Sequence, residues 1–208
     1  MQARPTSANR ILETALDLFA TKGYEKTSVR EICEAAGITK PTLYYFYGNK
    51  EGVYRALVLG AMEDVRHHIE VELAKPDPLR VRLKAIFRWF FADAMRRQKL
   101  WRFISTTVWS PELVDMMEHI CAQKEMGDMM TKVLDEAVVR GELAPGPTPI
   151  RLMVLKGAMS EVLDSFLLFG EPSLTDNLAD QLLDTVFTGW LPPSSSPVSP
   201  LSSSFSGL

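Results

Sequence analysis

The residues with the most recognition chemistry lie close together near the start of the 208-residue chain. Lys40, Thr42, Tyr44 and Tyr45 follow one another closely, Thr39 precedes them and Lys50 comes just after. Hydroxyl and ammonium groups at that density bond phosphate oxygens and the edges of bases. Groups for catalysis are not assembled in this way. His67 and His68 are adjacent, so on a helix they diverge and cannot share a metal ion. His119-Ala-Cys121 offers two ligands without a third. There is no His-Glu-x-x-His, Cys-x-x-Cys, glycine-rich phosphate loop or nucleophile elbow. No enzymatic activity, metal or cofactor is expected. Cys33, next to the inward-facing Ile32, reads as core filler. Cys121, with Lys124 as the basic residue placed to help it, leaves open a redox-responsive alternative.

The elements that must position these groups are helices. Ile11, Ala15, Leu18 and Phe19 recur at i, i+4, i+7 and i+8, with Ser7 as an N-cap candidate and Gly23 as the stop. Ser28-Val-Arg-Glu31 is a capping box opening a second helix that buries Val29, Ile32 and Ala36 and ends at Gly37. Thr39 is placed to cap a third, short helix through Tyr45, with Pro41 in its first turn. Gly48 and Asn49 break it, and Lys50 starts a fourth helix reaching about Ala74. A glycine-containing turn at Ala36-Gly37-Ile38 lets two short helices cross steeply, so that the second can enter a major groove. A plain helical hairpin with exposed tyrosines satisfies the same spacing.

Further helices are expected over 79–97 and 100–108, and from Ser110-Pro111-Glu112 to Arg140-Gly141. Two more run from Thr148-Pro149 to Phe169 and from Ser173 to about Trp190. No period-2 strand pattern appears, so the fold class is all-α. Residues 192–208 are Ser- and Pro-rich and read as a disordered tail. Composition (46% hydrophobic, 24% charged) suits a folded chain with a sizeable core. The most apolar stretch, 152–169, is interrupted by Lys156, Glu161 and Asp164, and residues 1–10 contain no apolar leader segment, so a cytoplasmic location is expected. Net charge is −3, divided unevenly: residues 1–50 carry +2 and residues 51–208 carry −5.

Arg10–Tyr24, Thr27–Ile32, Ala36–Tyr45 and Asn49-Lys-Glu51 together resemble the N-terminal domain of TetR-family (TetR/AcrR-type) transcriptional regulators. The resemblance implies a three-helix helix-turn-helix DNA-binding domain over 1–50. A long helix, 50–74, would join it to a helical effector-binding and dimerisation domain over 51–191. It implies a homodimeric repressor, released from a palindromic operator by a small molecule. Carried over position by position, it makes Thr27 and Ser28 phosphate contacts at a helix N-terminus, where free amides favour an anion in any case. Thr39, Lys40 and Thr42 become groove-facing, Tyr44 and Tyr45 backbone contacts, and Lys50 a phosphate contact, with Arg30 and Arg4 as further candidates. Phe46-Tyr47 departs from the family's common His-Phe, keeping an aromatic plug and losing a polar partner. A helical interaction protein without DNA binding is the other alternative, and it would leave the face of residues 39–50 without a purpose.

The last two expected helices hold more apolar surface than one stripe requires. Met159, Leu163, Phe166, Leu178, Leu182, Val186 and Trp190 are therefore expected in a two-fold dimer interface of more than about 1,000 Å². Three of the four tryptophans and eight of the ten methionines fall between Phe87 and Met159. Methionine lines adaptable cavities, so a pocket for an apolar or aromatic small molecule is expected, with Trp89, Phe103, Trp109, Met130 and Met159 as its lining. Glu118, Asp128, Glu161 or Asp164 would favour a cationic ligand, and a solvated face accounts for them equally well.

Overall fold

Each helix of the N-terminal region begins at a residue suited to capping it. The computed structural model describes residues 6–107 and 117–188, without the side chains of 107 and 117–123. Helix α1 (Ser7–Lys22) is capped by Thr6, one residue earlier than expected, because the Thr6 hydroxyl accepts from the Asn9 amide at 3.3 Å. Helix α2 (Val29–Ala36) has the full capping box: Ser28 Oγ accepts from the Glu31 amide, and the Glu31 carboxylate accepts from the Ser28 amide at 2.9 Å. Gly37 ends it in the left-handed region at φ 62°, which a side chain rarely tolerates. Helix α3 (Lys40–Tyr47) starts after Thr39, but Thr39 does not cap it. Its hydroxyl instead meets that of Thr42 at 2.9 Å. Asn49 caps α4 (Lys50–Leu73) through the Gly52 amide at 2.7 Å. Gly52 is needed there, since a Cβ would fall 1.8 Å from the Tyr47 carbonyl oxygen.

The chain continues with α5 (Leu79–Arg96), α6 (Gln98–Thr107), α7 (Met117–Val139), α8 (Thr148–Phe169) and α9 (Asp176–Thr188). No strand occurs among the described residues. The helix bounds agree closely with the sequence expectation. Arg4, the Ser110-Pro111-Glu112 start, Trp109, Glu118, the Cys121 side chain, Trp190 and the tail at 192–208 lie outside the described residues.

The buried side chains form two clusters. The first unites Ile11, Phe19, Ile32 and Leu43 with Val53, Tyr54, Leu57 and Val58 of α4 and Leu100, Phe103 and Ile104 of α6. Its packing thus runs past residue 50. Phe19 stacks on Phe103 with ring centroids 5.5 Å apart, and Lys99 pairs with Asp17 beside them. The second cluster gathers Val65 and Ile69 of α4 with residues of α5, α6, α7, α8 and α9. Helix α4 passes from one cluster to the other, and Met62 packs against both. Helix α9 is held along α5 by Arg80, Lys84 and Arg88, which pair with Asp180 and Asp184.

Candidate nucleic-acid interface and cavity

Leu43 is the single buried side chain of α3, and it anchors the helix on the first cluster. Apart from Tyr47, the remainder of α3 faces outward. Lys40 is exposed, Thr42 half-buried, Tyr44 49% exposed and Tyr45 84% exposed, with Thr39 exposed just before the helix. The outer surface therefore carries hydroxyls, one ammonium and two phenols on a rigid support. Phe46 is exposed too and meets Tyr45 edge-on at 5.1 Å, so of the Phe46-Tyr47 pair it is not the member that forms the plug. Tyr47 takes that part: it is half-buried, and its hydroxyl donates to the Ala8 carbonyl at 3.1 Å, tying α3 to α1.

At the start of α2 the capping box leaves the Val29 and Arg30 amides without intrahelical partners. Ser28 is exposed there, and Arg30 is exposed and paired with Glu34 at 2.6 Å. The Lys22 ammonium, 2.7 Å from Glu31, offsets the one carboxylate at this end. Lys22 and the Ser28 amide and hydroxyl, in that order, hold the Glu31 carboxyl down at about 2. Thr27 is not placed as the resemblance implied. It is 2% exposed, its hydroxyl donates to the Gly23 carbonyl at 2.9 Å and its amide to the Tyr24 carbonyl, so it stabilises the turn from within. Lys50 donates to the Tyr24 carbonyl at 2.9 Å and lies 4.1 Å from the centre of the Tyr24 ring. Two of its three ammonium protons remain for another acceptor.

A cavity of about 240 Å³ opens in the second cluster, between α4, α5, α6, α7 and α8. Met130 and Met159 are on its wall as expected. The other two described candidates are not. Phe103 belongs to the first cluster, and Trp89 is stacked on His68 at 4.3 Å, away from the lining. The chosen lining left out Phe87, Phe90 and Trp101 of the same apolar-rich region, and the sequence reading missed Met62, Val65, Ile69, Leu83 and Ile86; the inward stripes of α4 and α5 and the first turn of α6 supply them. Of the acidic residues considered, Asp128, Glu161 and Asp164 are all off the wall. Trp101 has a second contact. Its indole Nε1 donates to the Asp93 carboxylate at 2.9 Å, Arg97 holds the same carboxylate at 2.5 Å, and Arg97 also reaches Asp64 on α4 at 2.6 Å. Burial raises the Asp93 pKa, but hydrogen bonds from Arg97, Arg96 and Trp101 outweigh it and the net shift is downward. Burial likewise pushes the Cys33 thiol up, away from reactive thiolate.

Residues 11–57, which build the α1–α3 head and the start of α4, match the family model for bacterial regulatory proteins of the tetR family. In that region the chain carries a tetR-family domain. MftR of Mycobacterium tuberculosis, named as a regulator of mycofactocin biosynthesis, is 30% identical over 117 residues, covering 53% of this chain and 56% of its own. IcaR of Staphylococcus epidermidis, a negative transcriptional regulator of a biofilm operon, is 42% identical over 50 residues, covering 24% and 27%. The match thus spans about half the length of the first relative and a quarter of the second. In overall fold the chain is similar to FadR of Bacillus subtilis, solved in complex with stearoyl-CoA. That likeness has a TM-score of 0.75 at 18% identity and covers 87% of this chain and 98% of FadR.

The expected dimer face needs a correction. Met159 and Leu163 are each 7% exposed and belong to the buried stripe Arg151-Leu155-Met159-Leu163-Leu167, whose four-residue spacing keeps them on the inner side of α8. The outer side of α8 instead exposes Ile150, Met153, Val154, Leu168 and Phe169. Phe166 of α8 and Leu178, Leu182 and Val186 of α9 are half-buried. No helix among the described residues is long and apolar enough to cross a membrane.

Proposed function

We propose that this chain is a homodimeric DNA-binding transcriptional regulator, a repressor released from a palindromic operator by a small apolar molecule. The exposed face of α3, with Thr39, Lys40, Thr42, Tyr44 and Tyr45 outward over a single buried anchor, carries this reading. Ser28, Arg30 and Lys50 flank it on α2 and α4. In a two-fold dimer the two α3 helices would lie roughly 35 Å apart, the spacing of successive major grooves. The outer face of α8 and the half-buried row of α9 are the apolar surface such a dimer would cover.

The cavity supports an effector, and the FadR complex shows that one protein of this fold was solved with an apolar-tailed ligand. Trp101, Asp93, Arg97 and Asp64 connect the cavity wall to α4, the helix that continues into the head. A ligand that binds better when Trp101 is displaced would favour a tilted α4 and shift the population away from the DNA-competent form. Operator DNA must then weaken ligand binding by the factor by which ligand weakens DNA binding.

Gel shift with the DNA upstream of its own gene tests the reading. Lys50→Ala should weaken all sequences alike and lower the salt slope by about one. Lys40→Ala should cost about 1–3 kcal/mol at one base position of each half-site. Unchanged operator affinity in a Tyr44→Ala, Lys50→Ala double variant would refute it.

A further inference from the structure

Among the described residues, the cavity is apolar on every side except one. Of the described side chains that line it, Lys156 is the only titratable one, and Ser160, one turn further along α8, is the only hydroxyl. Residues four apart lie on one side of a helix, so the ammonium and the hydroxyl form a single polar edge. Both residues are exposed, which puts that edge at the mouth rather than the floor. Neither has an ion-pair or hydrogen-bond partner among the described residues. The nearby carboxylates of α8 are engaged elsewhere: Glu161 accepts from Ser165 at 3.2 Å and Asp164 from Ser105 at 2.7 Å. Among the described residues, the mouth is therefore a cation without a counter-ion above an apolar chamber.

From this geometry, and resting on the effector reading above, we infer that the ligand is an apolar chain with an anionic head. Its tail lies among Phe87, Phe90, Trp101 and Met130, and its head is held by Lys156 and Ser160. A liquid water occupies about 30 Å³, so 240 Å³ holds about eight heavy atoms of tail. A cationic ligand would meet Lys156 head-on, and a neutral one would leave the polar edge unused. The head is a carboxylate at the end of the tail, because a neutral thioester carbonyl there would leave its phosphates far beyond the mouth, past the pantetheine arm.

Calorimetric titration of the full chain with octanoate, octan-1-ol, octylamine and octanoyl-coenzyme A tests the inference. An anionic octyl ligand should bind about tenfold more tightly than the alcohol, as one charge-assisted contact provides, and the amine most weakly. Octanoate should also bind more tightly than the thioester, and the reverse order would overturn the carboxylate head. Lys156→Met keeps the stem length and should bring octanoate within twofold of octan-1-ol without changing the thermal midpoint. Equal affinity for acid and alcohol, a preference for the amine, or no binding of either anion overturns the inference. Operator binding measured on the same preparation separates the two readings: retained DNA binding with failed octyl binding refutes the ligand class alone.

Discussion

Glu31 accepts hydrogen bonds from the Lys22 ammonium and from both the amide and hydroxyl of Ser28. Those donors favour the ionised carboxylate, which is why its pKa falls to about 2. A carboxylate depressed in the folded state stabilises it above the unfolded pKa, near about 4.3, and loses that contribution as pH falls toward 2. In urea titrations, Glu31→Ala should therefore lie below the parent at pH 6, and the gap should narrow through pH 4 and 3. A constant gap would mean that the box acts only through geometry. This box was legible because its partners lie three residues apart, within reach of any reading of local sequence. Thr27 was not. Its hydroxyl is of the same kind as that of Ser28, but the turn from Gly23 decides whether it faces solvent or the backbone behind it.

At the scale of elements, the periodic stripes and caps gave nearly all helix bounds, including α8 from Thr148 to Phe169. What they could not give is which neighbour each stripe meets. Phe103 and Met130 are both aromatic or sulfur-bearing side chains from the same apolar-rich region, and they end in different clusters. The difference lies in the direction of α6, whose Phe103 packs under α1 while its Trp101 faces the cavity. Phe103→Ala should accordingly cost about 3–5 kcal/mol by urea denaturation, as a fully buried aromatic does. It should weaken operator binding through the head and leave binding in the cavity within twofold. A loss confined to ligand affinity would put Phe103 back among the lining residues.

At the scale of the whole molecule, the uneven charge reads as an electropositive head on an acidic body, a polarity that would help orient the proposed regulator on an anionic duplex. Its proposed two-fold partner would cover the outer face of α8, where Met153 is 67% exposed and Val154 43%. Light scattering at micromolar concentration should give a dimer. A Met153→Glu, Val154→Glu variant should give a monomer with weakened operator binding, because one head then binds without the other. Removing residues 192–208 should change neither property. A parent chain that is already monomeric would refute the assembly. The sequence made the surplus of apolar surface plain and misassigned Met159 and Leu163. Both sides of α8 are apolar, and only the packed body shows which one faces the core.

The Phe19–Phe103 stack and the Lys99–Asp17 pair bear on how such chains exchange parts. Sequence similarity is concentrated in the first fifty or so residues, which invites a crossover just after α3 as the natural place to graft one specificity onto another body. The underside of this head, however, is formed by residues that occur fifty positions later, on α6. A graft cut near residue 50 would set a foreign head on Leu100, Phe103 and Ile104, and the chimera would inherit a mismatched joint. Successful hybrids should therefore exchange those three positions together with the head, as one inherited unit that is discontinuous in the chain.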